Sequence, residues 1–229
     1  ERLRADGIRN FAFLLLVGEE TGGDGAKAAN ELDWTSDFVI VGEPTENKLA
    51  RAQKGTLLAE LRAEGQAAHS GYPEAGVSAV HRLIDVLHDC VESDWGEDPT
   101  LGRGTCNIGV IGGGAAANIL APEARASIML RTVEDVPAAR LRLGRVVRNR
   151  VMIEVQAASA PQHMHVVEGF DQTVVSFGSD IPYLRNLGKP LLIGPGSILD
   201  AHTAHEKILK RDLLEGIELY DRLVRTLLS

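Results

Sequence analysis

The hydrophobic pattern of this chain changes period twice, and the change limits the folds open to it. Near both ends the apolar residues run together: Phe11 to Val17 reads FAFLLLV, Asp37 to Val41 reads DFVIV, and 189–193 reads KPLLI. Such unbroken apolarity describes a strand covered on both faces, as in an open α/β sheet. Between these runs the period drops to two. Leu57, Ala59, Leu61 and Ala63 alternate with more polar residues, so Thr56 to Ala63 reads as a strand with one buried face.

The rest of the middle extends that second pattern. Val77 to Val91 has helical spacing, with Val80, Leu83, Ile84, Leu87 and Val91 on one side. Cys106 to Ile111 and Ala124 to Arg131 read as strands about a glycine-rich turn at Gly112 to Gly114. Pro137 to Arg150 reads as a helix that opens with proline, and Val151 to Val155 as a further strand. Strand, helix, strand, strand, helix, strand is the split βαβ order of a ferredoxin-like domain. Outside it, Gly25 to Leu32 is a short helix candidate. Lys210 to Leu228 is an amphipathic helix carrying Leu213, Leu214, Ile217, Tyr220, Leu223, Val224 and Leu227. The fold class expected is therefore α/β: an open sheet with helices on both faces, built from residues 1–53 and 160–229. A ferredoxin-like α+β domain at 54–159 interrupts it.

A net charge of −8 argues against a nucleic-acid partner, whose phosphates are met by Lys and Arg. The arginines at 140, 142, 145, 148 and 150 read as one exposed face of the second helix of the middle domain. Two cysteines, Cys90 and Cys106, are too few for a disulfide framework and lack zinc-site spacing; as buried thiols they fit a reducing cytoplasm. No apolar run approaches the roughly 20 residues of a membrane span. Glu1 to Asn10 reads as the end of a helix and a loop feeding directly into an apolar run, so an upstream piece is expected.

In an open α/β sheet, ligands bind beyond the carboxyl ends of the strands. Three runs here end in groups that can hold a metal: Glu19 and Glu20, then Glu43 in GEPT, then His202 in DAHT. Carboxylate and imidazole together suit Zn²⁺ or a related divalent ion. Adjacent carboxylates can divide the work, one a ligand and the other a proton acceptor. Each feature alone has a plainer reading. A Glu-Glu pair after a strand is commonly a solvated turn and His69 a polar turn residue, while Asp180 in FGSDIPYL reads as a pocket residue or as a helix cap. His205 competes with His202 as a ligand. His81 and His88 share a helix face that reads as solvated or as an interface, and His163 and His165 lie along a strand or loop.

Six segments occur in an order that resembles a known family: VGEETGGDGA from Val17, VGEPT from Val41, GQAAHSGYP from Gly65, GGAAANILAPEA from Gly113, LRT from Leu130 and GPGSILDAHTAHE from Gly194. The resemblance is to the metallopeptidases and deacylases of acetylornithine deacetylase, succinyl-diaminopimelate desuccinylase, aminoacylase and glutamate carboxypeptidase. It implies two divalent ions, Zn with Co as an alternative. Glu19 would be the general acid/base. Glu20 and His202 would hold one ion and Glu43 the other. His69, in the inserted lid and dimerisation domain, would polarise the scissile carbonyl from the partner subunit. Asn118 and Arg131 would hold substrate, Arg131 through its carboxylate. Gly196 and Ser197, in the Gly194–Ser197 loop, would line the pocket. The family's upstream His-x-Asp motif and bridging aspartate have no match before Glu19, so the metal site is expected to be incomplete.

The resemblance implies a homodimer through residues 54–159 and a small-molecule substrate, an N-acyl amino acid or a dipeptide. GPGSI, AHT and FGSD favour deacylation of N-acyl amino acids, with a carboxypeptidase or dipeptidase as the alternative. A reading of another class is a non-catalytic dimerisation or binding protein of the same fold.

Overall fold

A computed structural model describes residues 1–229. In chain order its elements begin with α1 (Arg2–Ala5), α2 (Asp24–Asn30), β1 (Phe38–Val41), β2 (Leu49–Gln53), β3 (Gly55–Glu64) and α3 (Ala79–Glu92). They continue with β4 (Glu97–Asp98), β5 (Gly102–Arg103), β6 (Thr105–Gly113), β7 (Glu123–Thr132), α4 (Val136–Val147) and β8 (Met152–Ser159). The last are β9 (Gln162–His163), β10 (Gln172–Val175), β11 (Lys189–Leu192) and α5 (Lys210–Leu227). They form two compact units. One holds Glu1–Gln53, Gln162–Val175 and Ser179–Ser229; the other holds Lys54–Pro161 and Ser176–Gly178. The class is mixed α/β with an open sheet and a separate antiparallel sheet.

In the first unit the sheet order is β1-β11-β2-β10, with β9 paired to β2. β1 and β11 run parallel, Phe38 opposite Lys189 and Val41 opposite Leu192, so the loops after both strands leave from the same end. The apolar run of β1 is covered on both faces, as its pattern predicts. Phe38 and Ile40 pack with Leu219, Tyr220, Leu223 and Leu227 of α5, while Val39 and Val41 pack with Ala26 and Ala29 of α2 and with Leu184 and Leu187. β2 pairs antiparallel with β11 and parallel with β10, which makes the sheet mixed.

The stretch Phe11 to Val17 departs from expectation. It forms no strand, and Phe13, Leu15 and Val17 are 85%, 93% and 77% exposed. Only Leu16 joins the cluster around α2. A buried strand needs backbone partners as well as apolar side chains, and β1 is laddered only to β11. Apolarity reports the side-chain requirement and says nothing about the ladder.

The second unit is an antiparallel sheet of order β6-β7-β3-β8 with α3 and α4 packed on it, the ferredoxin-like arrangement. β3 is central. It pairs with β7 from Gly55–Thr132 to Glu64–Glu123 and with β8 from Thr56–Ser159 to Arg62–Met152. Leu57, Ala59, Leu61 and Ala63 all point into the core, meeting Ile128 and Leu130 of β7, Leu83 and Val86 of α3, and Leu143 and Val147 of α4. The buried stripe of α3 is Ala79, Leu83, Val86, Leu87 and Cys90, whereas Ile84 and Val91 are about half exposed, contrary to the pattern reading. Helical spacing fits both stripes, and only the sheet opposite decides between them. On the other helix, Arg142 pairs with Glu134 at 2.7 Å and Arg150 with Asp89 at 2.6 Å, so part of the arginine face is neutralised within the unit.

Helix α4 starts where its sequence dictates. Asp135 accepts a hydrogen bond from the Ala138 N–H at 2.8 Å, and Pro137 fills the first turn. Asp135→Ala is expected to cost about 1 kcal/mol of stability, read as a lower denaturant midpoint with an unchanged slope. No helix is long and apolar enough to cross a membrane.

Candidate active site

The carboxylates at 19 and 20 sit on a tight turn, Glu19–Thr21, bracketed by glycines whose backbones are left-handed: Gly18 at φ 78°, Gly22 at 113° and Gly23 at 72°. A side chain at Gly23 would also meet the Tyr183 ring at 2.7 Å and an Asp180 carboxylate oxygen at 2.9 Å. The GEETGG spacing thus lets a sharp turn pack against the Asp180–Tyr183 segment.

Glu43 is positioned by the parallel pair. Beyond β1 the Thr45 N–H donates to the Gly194 carbonyl at 3.1 Å, and the Gly194 N–H returns a bond to Thr45 Oγ1 at 3.0 Å. The backbones come so close that a Cβ on Gly194 would lie 2.4 Å from the Glu43 carbonyl oxygen. Two strand-end motifs, GEPT and GPGS, are therefore stapled side by side. Gly196 and Ser197 belong to this staple: Glu46 N–H bonds the Gly196 carbonyl at 2.8 Å, and Thr45 forms a β-bridge with Ser197.

His202, itself left-handed at φ 59°, brings its Nε2 to within 2.8 Å of Glu20 Oε1. Its backbone N–H is held by Glu206 at 3.0 Å. His205 lies exposed in the same loop. The pairing raises the His202 pKa, first through the hydrogen bond to Glu20 and then through the charge of that carboxylate. Burial chiefly raises Glu19, with further contributions from the charges of Glu20 and Asp180. Glu43 is raised to about 7 by burial first, then by Glu19, Asp180 and Glu20, with His202 opposing. Four carboxyls and one imidazole from separate segments therefore share one electrostatic neighbourhood. No three of them converge as a closed metal cage. The donor chemistry, carboxylate and imidazole, fits a zinc-type ion; His202 and Glu20 meet each other in the geometry seen here.

The raised Glu43 has a consequence for stability. The folded state holds its proton more tightly than the unfolded chain does, so the stabilisation is present below the usual carboxylate range and is lost as pH rises through about 7. The metal-free chain is expected to melt at progressively lower temperature over that window. Glu43→Gln should flatten the pH dependence in a thermal-melt series; an unchanged slope would place its origin elsewhere.

In the second unit, His69 is exposed, and its Nδ1 accepts from the Gly71 N–H at 3.1 Å. It forms an isolated bridge with Ile119, next to Asn118, whose carbonyl accepts from the Ser70 N–H at 2.9 Å. His69 and Asn118 thus occupy adjoining loops. Arg131 stands on β7 between Thr56 and Thr105 and is half-buried, and its guanidinium makes no hydrogen bond or ion pair in the chain. Burial lowers its pKa.

A cleft of about 1200 Å³ is lined by apolar residues such as Phe11, Phe13, Phe38, Ile217 and Val224 and contains none of these carboxylates. Pattern reading passed over the extent of Asp180's involvement. It begins the turn Ile181–Tyr183 without making a side-chain cap bond, and it acts on both Glu19 and Glu43. The only signal was its place in FGSD.

Residues 51–142 match the family model of the peptidase dimerisation domain. A peptidase M20 domain-containing protein of Schizosaccharomyces pombe is 40% identical over 94% of this chain and 55% of its own length. The chain belongs to the M20 peptidase family. A probable carboxypeptidase of Aspergillus flavus is 37% identical to this family member over 94% of the chain and 59% of the relative. The chain thus spans little more than half the length of these curated relatives. Among solved structures, the aminopeptidase PepT of Bacillus cereus shares the fold with a TM-score of 0.76 at 19% identity, over 99% of this chain and 67% of that one. The di-peptidase Dug1p of Saccharomyces cerevisiae does so at 0.70 and 14%, over 95% and 66%.

Proposed function

We propose that this M20 chain is part of a metal-dependent carboxypeptidase or dipeptidase that hydrolyses the amide bond of a small peptide. The observation that carries the reading is the shared neighbourhood of Glu19, Glu20, Glu43 and His202 at one end of the parallel β1–β11 pair. Deacylation of N-acyl amino acids, favoured by the sequence motifs, yields to the alternative, because the relatives named for an activity are probable carboxypeptidases.

Glu20 and His202 would hold one divalent ion and Glu43 a second, zinc with cobalt as alternative. Such ions supply Lewis-acid polarisation of the scissile carbonyl. Glu19, its pKa raised by burial, takes a proton from the attacking water and delivers it to the departing amine. Arg131, a guanidinium with no partner in the chain, pairs with the substrate's carboxylate. His69 and Asn118 are assigned to substrate contacts, and the dimerisation domain to pairing two copies. The test is an assay of the intact protein, supplied with zinc or cobalt, on dipeptides beside N-acetyl amino acids. Hydrolysis of dipeptides supports the reading. Faster cleavage of the N-acetyl series restores deacylation, and no turnover of either favours the non-catalytic binding protein.

A further inference from the structure

We propose that Asp180 receives the positively charged α-amino group of the substrate, so that this site selects an unblocked dipeptide over an N-acylated amino acid. The inference rests on the peptidase reading above and names what that site recognises.

Asp180 is only 7% exposed, and its carboxylate makes no hydrogen bond or ion pair in the chain. The segment around it is well tied. Ser179 Oγ donates to Gln53 Oε1 at 2.7 Å and accepts from the Ile181 N–H at 3.3 Å, and the Tyr183 N–H bonds the Asp180 carbonyl at 2.9 Å. These bonds hold the backbone and leave the carboxylate out. Its surroundings are negative: Glu19 and Glu43 both feel its charge, and Gly23 leaves it room where a side chain would intrude. His202 is paired with Glu20 at 2.8 Å and Lys27 with Asp24 at 3.3 Å, and neither bonds the Asp180 carboxylate.

A mostly buried carboxylate without protein donors has given up much of its water and gained no hydrogen bond in return. A ligand that restores the balance must bring N–H donors and positive charge. An ammonium group brings three donors and one charge. In an unblocked dipeptide that group is attached next to the scissile carbonyl, beside the position served by Glu19. An N-acyl amino acid presents a neutral amide there. A metal ion at Asp180 is the competing occupant, but no three acidic or imidazole groups, Asp180 included, form a cage.

The test has two arms, both comparing the wild type with Asp180→Asn. In the first, L-leucinamide and N-acetyl-L-leucinamide are titrated calorimetrically, with zinc present and absent. In the second, kinetics of the metal-loaded intact protein are measured on a free dipeptide and on its N-acetyl form. The wild type is expected to prefer leucinamide. The variant should lose that preference: its kcat/KM on the free dipeptide should fall about ten- to a hundredfold further than on the N-acetyl form, mainly through KM. Equal losses on both substrates together with weaker zinc binding would overturn the proposal in favour of a metal ligand, and an unchanged preference would overturn it outright. If neither substrate is turned over by the wild type, the peptidase reading fails while the leucinamide arm still judges Asp180. Thermal melting checks folding, and Asp180→Ser replaces the asparagine variant should that one not fold.

Discussion

Replacing Glu19 by glutamine in the intact, metal-loaded protein is expected to lower kcat on a dipeptide by about a hundred- to ten-thousandfold while KM moves only a few-fold. General acid–base catalysis contributes on that scale, and glutamine keeps the shape of the side chain but carries no proton to exchange. The position of the group explains the selectivity of the effect. Glu19 sits on a glycine-bracketed turn, partly shielded from water and pressed by the charges of Glu20 and Asp180. Its carboxylate therefore holds a proton more readily than a free one, which a group that must both accept and return a proton requires. Glu20, with its oxygen on His202, is already committed. A steady-state comparison of the two glutamine variants separates the roles: Glu20→Gln should weaken zinc binding, and Glu19→Gln should leave it intact. Equal kcat in wild type and Glu19→Gln would remove Glu19 from the chemistry.

Leu61→Ala should cost the second unit about 2–5 kcal/mol. Leu61 is fully buried on β3, the strand laddered on both sides, beneath both helices. A cavity there has rigid walls and little room to collapse. Urea unfolding followed through Trp95, which is buried in the same cluster, in a Trp34→Phe background reports the loss. Leu141→Ala, at a 56% exposed position of α4, is the control and should stay within about 0.5 kcal/mol. A small loss for Leu61 would mean that the sheet relaxes around the gap.

The legible parts of this molecule are those where a side-chain pattern and a backbone partner agree. Alternation over Leu57 to Ala63 announced β3, because one face meets helices and the other does not. DFVIV announced β1, whose alternate residues meet α5 and α2. FAFLLLV carries an even stronger pattern and forms no strand, since nothing in a list of apolar residues says whether a ladder is offered to them. β2, reading LARAQ, was missed for the opposite reason. It lies inside a mixed sheet, yet Arg51 and Gln53 break its apolar run. The segments bearing Glu19, Glu43 and His202 could be read from their motifs, but the direct meeting of Glu20 with His202 could not, because it depends on a left-handed backbone at 202. Asp180, in FGSDIPYL, reads equally as a pocket residue or a helix cap, and its burial without a partner leaves no trace in sequence to decide between them.

The pairing of Gln53 with Gln162 across β2 and β9 bears on how such a chain could be remodelled. To the host sheet, everything from 54 to 161 is one hairpin loop, because the residues flanking it already face each other as antiparallel neighbours. The excursion likewise begins and ends on adjacent strands, where the Thr56 and Ser159 hydroxyls are 2.9 Å apart. Cutting it out and closing the gap with an Asn-Gly turn would therefore stretch neither piece. The same geometry lets a host acquire, exchange or shed a whole domain at this point without redesigning its own sheet.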